Sequence, residues 1–157
     1  MRRLTAFCSL LVAVLLPFAD AGSVRSQDAA ATTTLTFIVR GLRNDVGTVS
    51  GGVYVDPQRW AQPRGEVAVC RSPIRNGVSR CVIRVPAGGR YGFAFVHDED
   101  GNGRIAQDIF GIPQEGYGFA NDARSGLSAP SFESAAVTVE TGAHFEQTIR
   151  ARYGINL

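Results

Sequence analysis

The chain has 157 residues, 45% hydrophobic and 19% charged, with 18 Gly and 7 Pro. That length suits one domain of ordinary size, and the composition is too apolar for disorder and too rich in breakers for a helical bundle. Sixteen cations, all arginine and spread without a run, stand against 14 carboxylates, a balance of +2 that gives no nucleic-acid footprint.

Residues 1–21 read as a secretory signal peptide: Arg2 and Arg3, an apolar stretch from Leu4 to Phe18, then Ala19 and Ala21 as the small residues of a cleavage site. The stretch is shorter than the about 20 apolar residues that span a bilayer. Cleavage after Ala21 therefore leaves no transmembrane segment, and Cys8 departs with the signal. Residues 22–33 have almost nothing to bury and read as a flexible leader to a domain over 34–157. The expected location is periplasmic or secreted.

Strand-like alternation begins at Leu35, with Leu35, Phe37 and Val39 on one side and Thr36, Ile38 and Arg40 on the other. Further strands are expected at 48–55, 66–70, 81–85, 91–97, 135–140 and 144–153, with turns at Gly41, Gly47, 86–89 and Thr141-Gly142. Asp56 followed by Pro57 signals a helical turn between the second and third strands. Seven short strands at this spacing suggest a single antiparallel β-sandwich. Export delivers Cys70 and Cys81 to an oxidising space, where a structural disulfide is the default. Pairing the strands that flank the turn-rich segment 71–80 puts Ala68 opposite Ile83 and the two sulfurs opposite each other.

From Asp98 to Pro130 about thirty residues pass without a strand pattern, a length that in a compact domain marks function or disorder. Ile105, Ile109, Phe110, Ile112, Tyr117, Phe119 and Leu127 argue for an ordered loop. Its first half, Asp98-Glu99-Asp100-Gly101-Asn102-Gly103, matches the opening of a D-x-[DN]-x-[DN]-G calcium loop. Asp98, Asp100 and Asn102 supply side-chain oxygens, Gly103 the sharp turn, Arg104 a backbone carbonyl and Asp108 a returning carboxylate. Where an EF-hand has its bidentate Glu this chain has Ile109, and a strand precedes the loop, so the expectation is an EF-like calcium loop on a β scaffold. Gly101-x-Gly103-x-x-Ala106 imitates a dinucleotide fingerprint, but its neighbouring acids would repel a pyrophosphate and no helix follows. The second half, 111–122, places Glu115, Tyr117 and Phe119 as a possible ligand surface. His97 and His144 lack a nucleophile elbow to serve, and no catalytic residue is assigned.

The segments ending in Arg40-Gly41-Leu42, Gly51-Gly-Val-Tyr-Val55, Pro86-Ala-Gly-Gly-Arg-Tyr91, His97-Asp-Glu-Asp-Gly-Asn-Gly103 and Gly111-Ile-Pro-Gln-Glu-Gly-Tyr-Gly-Phe119 together resemble the secreted bacterial family called domain of unknown function 2141, over about 35–153. The resemblance implies an exported, transthyretin-like or prealbumin-like β-sandwich and supplies no activity. In that family's pattern an acid follows soon after the loop Gly, where this chain has Arg104-Ile105-Ala106. The reading that results is a non-enzymatic exported module with a calcium-organised loop, its partner an envelope component, glycan or protein. The alternative is a carbohydrate-active or other hydrolase using loop carboxylates.

Overall fold

The computed structural model describes residues 32–154, and the signal peptide and most of the leader lie outside them. Eight strands account for the order: β1 Thr33–Arg40, β2 Thr48–Tyr54, β3 Ala68–Arg75, β4 Val78–Val85, β5 Gly89–Asp98, β6 Gly116–Phe119, β7 Ala136–Val139 and β8 His144–Arg150. Among the described residues helix is confined to two three-residue 3₁₀ turns. The first, Pro57–Arg59, forms where expected: the Asp56 side chain accepts from the Gln58 N–H and Pro57 supplies the first position.

The strands hydrogen-bond in the order β6-β5-β2-β3-β4-β1-β8, with β7 also on β5. Just past β8, Arg152 exchanges both backbone bonds with Tyr117 of β6, at 2.9 and 2.8 Å. The sheet thus nearly closes into a barrel. This differs from the expected seven-stranded antiparallel sandwich in three ways: there is an eighth strand, the sheet is almost continuous, and β1 and β8 run parallel, Leu35 beside Phe145. The parallel pair arises because residues 140–143 carry the chain from β7 to the end of the sheet where β1 also begins, pinned there by the Thr33 hydroxyl and the Gly142 N–H.

The unexpected strand is β6. Its sequence, Gly-Tyr-Gly-Phe, has weak strand propensity, yet all four residues are buried. A Cβ at Gly116 would stand 2.7 Å from the Tyr153 ring, and one at Gly118 would stand 2.6 Å from the Phe95 ring. Both glycines are therefore set by close approach to neighbouring aromatics.

Inside the curled sheet Leu35, Phe37, Val49, Val53, Ile83, Phe93 and Ile149 are almost fully buried. Phe37 of β1 stacks on Phe93 of β5 at 3.8 Å between ring centroids, joining opposite sides of the core. Burying side chains of this size contributes about 1.5–3 kcal/mol each. Cys70 and Cys81 form a disulfide, but not across one ladder. The β3–β4 hairpin turns at Asn76-Gly77, whose φ angles of 53° and 71° suit a tight two-residue turn. Only Ile74↔Ser79 and Arg75↔Val78 pair. The strands then part, Cys70 lying beside Gly51 of β2 and Cys81 beside Phe37 of β1. The bridge therefore ties two diverging ladders together, and the expected Ala68–Ile83 register is not formed.

Candidate metal centre and the adjoining cleft

The segment between β5 and β6 divides into two small structures. Residues 106–114 form a miniature hairpin, with Gln107 bridged to Pro113 and the Gln114 N–H donating to the Ala106 carbonyl at 2.8 Å. Asp108 sits inside it, its Oδ1 accepting from the Phe110 and Ile112 N–H groups, both at 2.9 Å. Ile109 and Phe110 at the tip are exposed.

The other part is the acidic turn that follows β5. Asp100 Oδ1 accepts from the Asn102 N–H at 3.0 Å, and Asn102 Oδ1 accepts from the Arg104 N–H at 2.7 Å. Asp98 Oδ2 accepts from the Gly103 N–H at 3.1 Å, drawing the turn back over the strand end. Gly103 adopts φ +73°, the left-handed conformation that lets the chain reverse here.

Asp98, Asp100 and Glu115 each bring a carboxylate oxygen within 4.8 Å of the others. Two oxygens that share one calcium ion at about 2.4 Å stand no farther apart than that. The strand register explains why Glu115 joins. β5 and β6 pair with His97 opposite Gly116, so one step further Asp98 meets Glu115. Glu115 also ties the two ends of the turn, its Oε1 accepting from the Glu99 N–H and its Oε2 from the Ala106 N–H, both at 2.8 Å. The cluster contains Glu115 where the sequence reading places Asp108. Asn102 and Arg104 belong to the same turn.

Asp98 and Glu99 are neighbours with opposite circumstances. Glu99 is held by Arg43, through Nε at 2.8 Å and through a second contact from Nη2, and by Asn44 Nδ2 at 2.8 Å. The Arg43 hydrogen bond lowers its carboxyl pKa below the ordinary value against the opposing effect of burial. Arg43 in turn lies 4.8 Å over the Tyr153 ring, and the Tyr153 hydroxyl meets His97 Nδ1 at 2.8 Å. His97 is thus a buried structural residue, its Nε2 facing the Val46 carbonyl at 2.8 Å. Asp98, by contrast, is 0% exposed, and its Oδ1 has no hydrogen-bond partner. Its one cationic neighbour among the described residues, Arg71, stands 3.6 Å from Oδ2, beyond hydrogen-bond length. A buried carboxylate oxygen left without a partner is costly, of the order of 1–3 kcal/mol or more.

Tyr117 and Phe119 point to the outer face of β6, yet both are buried rather than displayed. The Tyr117 hydroxyl donates to the Gly154 carbonyl at 2.9 Å and accepts from Ser125 at 3.1 Å. Phe119 packs on Trp60, whose Nε1 donates to the Pro130 carbonyl at 2.7 Å. Tyr117 and Phe119 line an open cleft of about 1340 Å³ together with parts of the loops at 103–113 and 125–129. Among the described residues no helix is long and apolar enough to cross a membrane.

Neither a curated protein nor a solved structure matches this chain. A family model described as an uncharacterized protein conserved in bacteria, domain of unknown function 2141, matches residues 38–147, a span running from β1 to β8 that contains the acidic turn, and the chain belongs to that family.

Proposed function

We propose that the protein is an exported binding module whose β5–β6 loop is organised by one calcium ion held by Asp98, Asp100 and Glu115, with Asn102 and the Arg104 carbonyl as further oxygens of the same turn. The observation that carries this reading is the fully buried Asp98 carboxylate with Oδ1 unpartnered beside two other acids. A divalent cation offsets their mutual repulsion and completes the coordination of that oxygen. Carboxylate, amide and carbonyl donors on an irregular turn suit calcium, which takes 6–8 oxygens at flexible angles; magnesium demands a regular octahedron. The disulfide supports an oxidising destination. The separation of β3 and β4 into two ladders supports the transthyretin-like sandwich as the finer description of the nearly closed sheet.

The test is thermal unfolding at constant ionic strength with calcium, magnesium or chelator. With calcium at 100 times its dissociation constant, mass action adds about 2.7 kcal/mol to stability. An affinity of about 10⁻⁴ to 10⁻³ M is expected, as in extracellular calcium modules. The calcium response should vanish in Asp98→Asn and Glu115→Gln and persist in Asp108→Asn. A wild-type response no larger with calcium than with magnesium rejects the reading.

A further inference from the structure

The cleft beside the acidic turn has a lining that its own fold does not explain. Its floor is the outer face of β2, β3 and β5, with small residues at Ser50, Gly52 and Ala94. Three large apolar side chains that line it face water: Val69 on the floor is 64% exposed, Phe110 81% and Leu127 89%. Single exposed apolar residues are ordinary on a protein surface, but three lining one concavity mark a binding groove. The charged groups are Arg64, Arg71 and Arg104 against Glu66 and Asp98. Of the acids, Asp98 is fully buried, whereas Arg71, directly above it, is more than half exposed. At the same end Ser50 Oγ is buried without a hydrogen-bond partner, in register with Arg71 on β3 and Val96 on β5.

We propose that this cleft binds a single-chain anionic amphiphile, a fatty carboxylate, with its head at Arg71 and Arg104 and its chain against Val69, Phe110 and Leu127. Arginine matches a carboxylate through charge-assisted hydrogen bonds, and Arg71 Nη2 reaches to 3.7 Å from where a Cβ of Gly103, the residue before Arg104, would stand. The chain removes from water the apolar groups that the loops leave uncovered. The volume exceeds the roughly 300–1,000 Å³ of sites for compact ligands, which leaves room for an extended chain. The proposal stands on the lining alone; a calcium ion in the turn would add to it by offsetting the acids beside Arg71.

Titration calorimetry with sodium dodecanoate, below the concentration at which it aggregates, tests this on the disulfide-intact protein. Chelator is present throughout, so that calcium soaps do not form and the metal reading, tested by melts without amphiphile, stays separate. Saturable one-to-one binding is expected, about tenfold or more tighter than for the uncharged dodecanol, from the added charge-assisted bonds. Arg71→Gln should weaken dodecanoate about tenfold while leaving dodecanol unchanged. Leu127→Glu, at a site too exposed to affect folding, should weaken both. Equal affinity for the acid and the alcohol, no binding of dodecanoate, or variants that bind as the wild type does would overturn the proposal. Binding only to vesicles of anionic phospholipid would also overturn it, in favour of a membrane surface.

Discussion

On the inner face of the β2–β5 ladder Val49, Val53, Phe93 and Phe95 are buried to 2% exposure or less, and Phe93 stacks on Phe37 from the far side of the core. On the outer face of the same two strands stand Ser50, Gly52, Ala94 and Val96, small side chains under an open cleft, ending in Asp98 and its unpartnered oxygen. Successive residues of a strand point to opposite faces, so one stretch of chain serves both. The inner face is close-packed and satisfied. The outer face keeps a concavity, two orphaned oxygens and uncovered apolar walls. Such features lower stability relative to a filled surface, and their grouping on one face of the sheet separates what holds the fold from what is open to a ligand.

The two faces should differ most at Phe93. Phe93→Ala should cost about 3–5 kcal/mol, measured by urea unfolding, whereas Val69→Ser on the outer face should stay within about 0.5 kcal/mol. Comparable losses at the two sites would show that the outer face is also part of the core.

Next in size is the bridge that joins the two ladders where β3 and β4 separate. Its sulfurs belong to residues 11 apart, and for a loop of that length the chain-entropy model gives about 2.8 kcal/mol. Cys70→Ala/Cys81→Ala should lose an amount of that order in a denaturant series.

A third experiment turns on sign. In chelator, Asp98→Asn should unfold at a higher temperature than the wild type, by the equivalent of about 1 kcal/mol, because an amide replaces a buried charge with an unpartnered oxygen. In saturating calcium the order should reverse. Destabilisation in chelator would mean that the carboxylate is already satisfied by Gly103 and Arg71.

The smallest effect concerns Asp45, which accepts from the Gly77 and Asn76 N–H groups at 2.8 Å each and so braces the turn that joins β3 to β4. Those two bonds lower its pKa below the ordinary 3.8. A depressed folded value means that the stabilisation is complete above that ordinary value and disappears as pH falls through the folded one. The stability gap between wild type and Asp45→Ala should therefore be constant at neutral pH and close below pH 3.8, as followed by acid unfolding of both proteins.

Local pattern alone determined the all-β class, the alternation that buries Leu35, Phe37 and Val39, the capped turn at Asp56-Pro57, and the acidic turn with Asp98 and Asp100. Each depends on residues a few positions apart, where strand period and turn chemistry are decided by neighbours along the chain. The pairing of Cys70 with Cys81 was also legible, because they are the two cysteines outside residues 1–21. Tertiary structure decided the rest. Gly116-Tyr-Gly-Phe119 is a strand through its pairing with β5, and its glycines are required because the rings of Phe95 and Tyr153 leave no space for a Cβ, a constraint set by distant residues. That pairing brings Glu115 to Asp98 across the sheet, while two backbone amides of a local hairpin hold Asp108. The parallel β1–β8 contact and the near-closure at Tyr117 and Arg152 likewise depend on the path of the whole chain. So does the cleft: its lining comes from six separate segments, and no one of them carries its shape.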